Sequence, residues 1–343
     1  MRLMNRRTFI ATSAAALALP TLAAEPRRKI TIGFLGVSHS HALEKFKIVR
    51  ESKDFELVGA VEDAAAVHEP FAKLGAQFIS RDELFARAEV VIVDSAVADH
   101  ARDAKLALTA GKHVHVEKPP AATLHEFEEL VELARAKKRL LQVGYMWRFN
   151  PGFNRAIEAA RQGCLGEVYL VRATMNTSLD ATRRPEWGQF KGGAMFEQGS
   201  HLVDVVVRLL GAPVKVTPHL QRRGGDDLAD NCVAFFEFPK AQAIITNSVL
   251  QPNAGPHRFL EILGTNGVAR VQPIEPPALT LDLAKAAGPY LAGPQKVPLP
   301  EYRRYVGDFA ELAASVRDGT SLSVTPEQEL QIQTALLRAS EML

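Results

Sequence analysis

Apolar residues recur along this chain in two rhythms. Between residue 29 and about residue 120, short apolar runs at 30–35, 56–61, 89–94 and 113–116 alternate with stretches at 41–52, 65–74 and 99–110 that suit helices. That alternation predicts consecutive βαβ units and a doubly wound, Rossmann-type parallel sheet. Thr123 opens a further helix: Glu126 stands three residues on as its capping-box partner, and Leu124, Phe127, Leu130 and Val131 form the buried face. After Pro151 the rhythm changes. Helices at 151–162 and around 197–210 accompany β-rich runs at 167–175, 231–238, 242–250, 258–263 and 268–272, with Thr265-Asn266-Gly267 as a hairpin turn. This half reads as an α+β domain with an open, mostly antiparallel sheet. Thr325, Pro326 and Gln328 start a last helix over 326–342. The expected division is a dinucleotide-binding domain at 29–150 and a substrate and oligomerisation domain at 151–343.

Composition is compatible with two packed domains: 47% of the 343 residues are hydrophobic and 23% are charged. Three of the 41 basic residues, Arg2, Arg6 and Arg7, lie in the first 24 positions, so the remainder carries 38 basic against 39 acidic residues, a net −1. No basic run or stripe points to a nucleic-acid partner. Arg6-Arg7 precedes an apolar run through Leu19, too short to be a permanent membrane span, and then a small-residue stretch from Thr21 to Ala24. Residues 1–24 therefore read as an export signal that contacts the membrane only in transit. The two cysteines, Cys164 and Cys232, lack metal-ligand spacing and read as buried small hydrophobes; spacing leaves open whether they pair. No metal site is expected.

The loop after the first strand runs Gly33-Phe34-Leu35-Gly36-Val37-Ser38-His39-Ser40-His41. A dinucleotide needs a tight turn here, backbone close to the pyrophosphate, and amides at the next helix's start. Gly36 can serve as the first glycine of G-x-G-x-x-G, but Ser38 and His41 replace the second and third, so the loop alone equally fits an ordinary strand–helix turn. The second strand ends at Val61-Glu62-Asp63, where a carboxylate can accept hydrogen bonds from an adenosine ribose. Glu62 is the first candidate and Asp63 the second, and an acid there favours NAD over NADP. Val37, Ser38 and His39 complete the candidate cofactor loop.

His113-Val114-His115-Val116-Glu117-Lys118-Pro119-Pro120, entered through Gly111-Lys112, resembles the signature of the Gfo/Idh/MocA oxidoreductases. The resemblance continues through 144–151, 163–168 and 192–204 to a helical close from Gly307-Asp308-Phe309 onward, covering essentially residues 29–343. It implies a tightly bound nicotinamide dinucleotide and hydride transfer at a sugar or polyol hydroxyl. By position, Glu117 and Lys118 would lie at the nicotinamide, His201 would take the hydroxyl proton, and Glu197 stands where the family usually has Asp. Residues 197 and 201 also share a helical face, where a carboxylate can orient an imidazole. Arg148 and Asn150 follow a strand expected to end near the cofactor. Trp187 could pack on a sugar face, although core packing is the simpler explanation, and Asp204 could meet substrate hydroxyls or cap a local polar network. Asp99 and His100 follow the expected strand at 89–94, at the cofactor edge, where a loop contact or helix-start role is as open as direct ligation. Asn5-Arg6-Arg7-Thr8-Phe9-Ile10 is similar to a twin-arginine signal, which implies a periplasmic protein exported already folded.

Three readings stay open on the sequence: an NAD(P)-dependent oxidoreductase acting on CH–OH groups; a glycosidase, lyase or epimerase that uses bound NAD transiently; and a non-catalytic sugar-binding or regulatory protein. The second domain's sheet face predicts a homo-oligomer.

Overall fold

The computed structural model describes residues 28–343; the export segment read at 1–24 lies outside the described residues. The first half runs β1 (Ile30–Leu35), α1 (Ala42–Glu51), β2 (Phe55–Val61), α2 (His68–Ala72), α3 (Arg81–Arg87), β3 (Val90–Val93), α4 (His100–Thr109), β4 (His113–Val116), α5 (Leu124–Lys137) and β5 (Leu141–Val143). The five strands form one parallel sheet in the order β2-β1-β3-β4-β5. Its central strands are covered on both faces, which is why β3 reads as an unbroken Val-Val-Ile-Val run rather than an alternation. Thr123 and Glu126 close their capping box reciprocally, at 3.2 and 3.0 Å.

The second half runs α6 (Pro151–Arg161), β6 (Val168–Thr174), α7 (Arg184–Gly188), α8 (Ser200–Leu210), β7 (Lys215–Gln221), β8 (Asn231–Glu237), β9 (Gln242–Ser248), β10 (Phe259–Gly264), β11 (Gly267–Val271), β12 (Leu279–Leu283), β13 (Gly293–Val297), α9 (Val306–Asp318) and α10 (Pro326–Ala339). Eight strands form the sheet β13-β12-β11-β10-β6-β9-β8-β7, antiparallel except where β6 meets β9. Strands β7, β12 and β13 carry weak sequence signals. Pro218 interrupts the first, Pro294 the third, and β12 is a five-residue run recognisable mainly through its pairing with β11. The expected helix around 197–210 is two elements: a π turn over Met195–Gly199, then α8. Single π turns of this kind often mark functional sites. Cys164 and Cys232 are both buried free thiols.

Two buried charge networks fix the elements around the crevice where the domains meet. At the carboxyl edge of the parallel sheet, Lys45 of α1 is wholly buried and donates to Asp94 Oδ1 at 2.8 Å and Glu117 Oε2 at 2.5 Å. It thereby ties the helix to the ends of β3 and β4. Burial opposes its charge, but the two carboxylates outweigh burial and raise its pKa. Asp94 is pushed up to about 7, first by burial and further by Glu117 despite Lys45. Between the two halves, Arg148 donates to Asp204 Oδ1 and makes a two-pronged contact with Glu329 at 2.5 and 2.8 Å, joining the turn after β5 to α8 and α10.

Lys45→Met leaves Asp94 and Glu117 as adjacent buried carboxylates without their cation. The expected loss is about 3–5 kcal/mol of unfolding free energy at pH 8. Because Lys45 holds both carboxyl pKa values down, its loss raises them, the variant takes up protons at higher pH than wild type, and the deficit shrinks as pH falls toward 5.5. Denaturant unfolding of both proteins at the two pH values checks this.

Candidate active site

β1 ends against the loop 36–41, and the local sequence explains its path. Gly36 adopts φ +77°, and a Cβ there would lie 2.4 Å from Ser95 Cβ, so only glycine lets the chain pass. Val37 N–H donates to Glu62 Oε2, and Ala64 N–H to Glu62 Oε1, each at 3.0 Å. Glu62 therefore stands at the carboxyl end of β2 beside the loop, while Asp63 makes no hydrogen bond among the described residues. The amides of Ser38 and Ser40 also have no acceptor among the described residues, and α1 begins without a side-chain cap. Free amides at a helix start and an acid at the end of β2 suit a dinucleotide's pyrophosphate and ribose.

Beyond that loop lies a cavity of about 330 Å³. Ser40, His41 and Lys118 line it from the first domain, and Trp187, Glu197 and His201 are among its residues from the second. Lys118 Nζ donates to Glu197 Oε1 at 2.7 Å and to the Glu197 carbonyl at 2.9 Å, which spends two of its three protons. The π turn presents both the carbonyl and the carboxylate of Glu197 to one ammonium. Burial works against the Glu197 charge, but Lys118 and His39 outweigh it and hold this carboxyl well below the usual carboxylate range. His201 has its pKa pushed well below the usual imidazole value, first by burial and then by the Lys118 cation and His41. It is a neutral imidazole at neutral pH, the form that can accept a proton. His39 Nε2, Glu197 Oε2 and His201 Nδ1 are buried without hydrogen-bond partners among the described residues. Such orphaned groups mark a place built to receive a ligand.

Sequence reasoning missed Lys45 and the part played by His41. Lys45 does leave a signal, a charge on the helix stripe that also carries Ala42, Phe46 and Val49. His41, at the third-glycine position, turns its ring onto the residue that follows β4: Nδ1 lies 3.1 Å from Glu117 Oε1. His39, His41 and Glu117 bring one possible ligand atom each within 4.8 Å of one another. Glu117 meets Lys45 with one oxygen and His41 with the other, and the His41 amide donates to His39 Nδ1 at 3.3 Å, so the three form a hydrogen-bonded cluster.

Other expected site residues lie elsewhere. Arg148 and Asp204 are consumed in the buried network with Glu329, and neither lines the cavity. Asn150 caps α6 through the amides of Gly152 and Phe153 and donates to the Ile274 carbonyl. His100 bridges the carbonyls of Ser95 and Pro119, and Asp99 pairs with Arg102. These assignments rested on nearness in sequence to a strand end or to His201. Spatial packing instead aims Arg148, Asp204 and Asn150 into the protein interior.

Residues 30–145 match the family profile described as oxidoreductase family, NAD-binding Rossmann fold, and residues 153–270 match the GFO/IDH/MocA C-terminal domain. The scyllo-inositol 2-dehydrogenase (NADP(+)) IolW of Bacillus subtilis is 26% identical, across 92% of this chain and 95% of the relative. The D-glucoside 3-dehydrogenase of Escherichia coli is 30% identical over 48% of each chain. Three further curated relatives match over 39% to 48% of their own length. Among solved structures, the UDP-N-acetylglucosamine 3-dehydrogenase GnnA from Acidithiobacillus ferrooxidans superposes with TM-score 0.78 at 19% identity, covering 92% of this chain and 98% of that one. GenD2 from gentamicin A biosynthesis, solved in complex with NAD, gives 0.79 at 22% identity, covering 93% and 95%. With both of its domains matched in order, this chain belongs to the Gfo/Idh/MocA family of NAD-binding oxidoreductases.

Proposed function

We propose that this protein exchanges hydride between a hydroxyl-bearing carbon of a sugar or polyol and a tightly held nicotinamide dinucleotide, NAD in preference to NADP, after export to the periplasm. The observation that carries the reading is one cavity in which a lysine–glutamate pair and a neutral buried imidazole meet at the mouth of the 36–41 loop. The relatives whose names specify inositol, a glucoside and UDP-N-acetylglucosamine support the substrate class. The free loop amides would hold the pyrophosphate and Glu62 the ribose, and Glu62 would repel a 2′-phosphate.

When bound, the nicotinamide supplies the hydride acceptor or donor. His201 takes the proton of the reacting hydroxyl at its imidazole, and its low pKa keeps that site vacant at neutral pH. The third Lys118 proton is free to hydrogen-bond the same oxygen and stabilise it as negative charge develops. Glu197 fixes the ammonium in place through two acceptors. Trp187 offers a buried indole wall against which a sugar face can pack.

Export follows from the twin-arginine-like residues 5–10, and a protein exported folded can carry its cofactor along. The outward face of the eight-stranded sheet presents Leu170, Phe235 and Ile244 beside Arg172 and Glu261, a mixed surface that a second copy of the chain would cover.

Mass spectrometry of small molecules released by denaturing the purified protein should show stoichiometric NAD; a protein that is empty and binds neither NAD nor NADP sinks the reading. His201→Asn should lower kcat about 10²–10⁴-fold while NAD content stays constant, and equal loss of both would assign the residue to folding. The acid limb of kcat/KM should lie below pH 6.5, since a base with a depressed pKa stays unprotonated to lower pH. Replacing Arg6 and Arg7 together by Lys should trap the protein in the cytoplasm by cell fractionation; unchanged export would remove the localisation.

A further inference from the structure

The cavity holds a charge that hydroxyl chemistry does not require. Three arginines, Arg183, Arg258 and Arg304, line it on the side built by the second domain. Two have partners: Arg304 forms a two-pronged pair with Glu275, and Arg183 Nε lies 3.2 Å from Glu186. Arg258 differs. It sits at the foot of β10, half-buried, and its Nε donates to the Asn176 carbonyl at 2.8 Å. Its two terminal nitrogens have no hydrogen-bond partner, and it forms no ion pair among the described residues. Asp180, an exposed acid on this wall, turns its Oδ1 onto the amide and hydroxyl of Thr182, and Glu275, whose charge favours that of Arg258, is held by Arg304.

A substrate that fills the cavity strips water from Arg258. A neutral polyol would leave a desolvated guanidinium incompletely paired, which is costly. A carboxylate or phosphate on the same carbon skeleton would accept the two free nitrogens side by side, the geometry in which guanidinium binds oxyanions best. We propose that the substrate of this enzyme is an anionic sugar derivative, and that Arg258 is the specificity-determining residue that receives its oxyanion while the reacting hydroxyl lies at Lys118 and His201. The inference rests on the sugar-oxidoreductase reading above. In that reading the cofactor's phosphates take the amides of the 36–41 loop on the first domain's side of the cavity, and Arg258 stands on the wall built by the second domain.

The test pairs each acid with an uncharged counterpart: glucuronate with glucose, gluconate with sorbitol, and a hexose phosphate with the free hexose. Binding to the NAD-loaded wild type, Arg258→Gln and Arg258→Lys is measured by calorimetry at fixed ionic strength, and reduction of bound cofactor by absorbance. At least one anion should bind the wild type about tenfold or more tightly than its neutral partner. Arg258→Gln should remove about ten- to hundredfold of that affinity and leave neutral-sugar binding unchanged, with Arg258→Lys partly restoring it. The ranking of carboxylates against phosphate identifies which oxyanion the site takes. Neutral sugars binding as tightly as every acid, no anion binding at all, or equal weakening of both classes in Arg258→Gln would each overturn the proposal. Anions that bind through Arg258 while neither class reduces the cofactor would leave this site standing and refute the oxidoreductase reading. Turnover of neutral sugars alone would do the reverse.

Discussion

The Lys118–Glu197 pair is the contact on which the site depends, because its two halves come from different domains. Lys118 follows the fourth strand of the parallel sheet, and Glu197 sits in the π turn that leads into the helix under the antiparallel sheet. Both are buried, so neither charge can be left to water, and separating them would strand an ion on each side. The pair therefore holds the crevice at a fixed width while keeping one ammonium proton for a ligand. A shorter acid at position 197 would have one methylene less with which to reach across.

The same pair sets the electrostatics of its neighbours. With Lys118 charged beside it and burial around it, the His201 ring is held neutral, and His39 is driven down to about 3, first by burial, although Glu197 pulls the other way. A layer deeper, the buried Lys45 neutralises the carboxylates at the strand ends, so that Glu117 stays charged and can hold His41 by its Nδ1. The site is thus a set of buried groups whose protonation follows first from burial and then from the charges packed against them. An orderly arrangement of this kind needs a rigid floor, and the Arg148–Asp204–Glu329 network supplies it on the second domain's side.

Residues expected from the sequence to meet the substrate separate accordingly. Trp187 lines the cavity, as do Lys118, Glu197 and His201. Arg148 and Asp204 are charged, adjacent in sequence to the site, and belong to the scaffold that keeps it open. Arg258 carried no motif, yet it reaches the cavity because β10 pairs with β6 in the middle of the second sheet and sets the start of that strand beside Asn176.

The sequence by itself determined the two-domain architecture, since buried parallel strands and half-exposed antiparallel ones impose different hydrophobic rhythms over short windows. It also determined the helix caps at Thr123 and Thr325, whose partners stand three residues away. The ordered motifs marked Lys118, Glu197 and His201 as a set. Only the tertiary structure decided that Lys45 is an interior cation, that His41 faces Glu117, that Arg148 is spent on Glu329 181 residues away, and that Arg258 forms no ion pair among the described residues. The physical reason is range. Capping and amphipathic burial are local and leave a periodic trace, whereas the pairing of a charge depends on which distant carboxylate the packed chain brings within about 3 Å, and no periodicity records that distance.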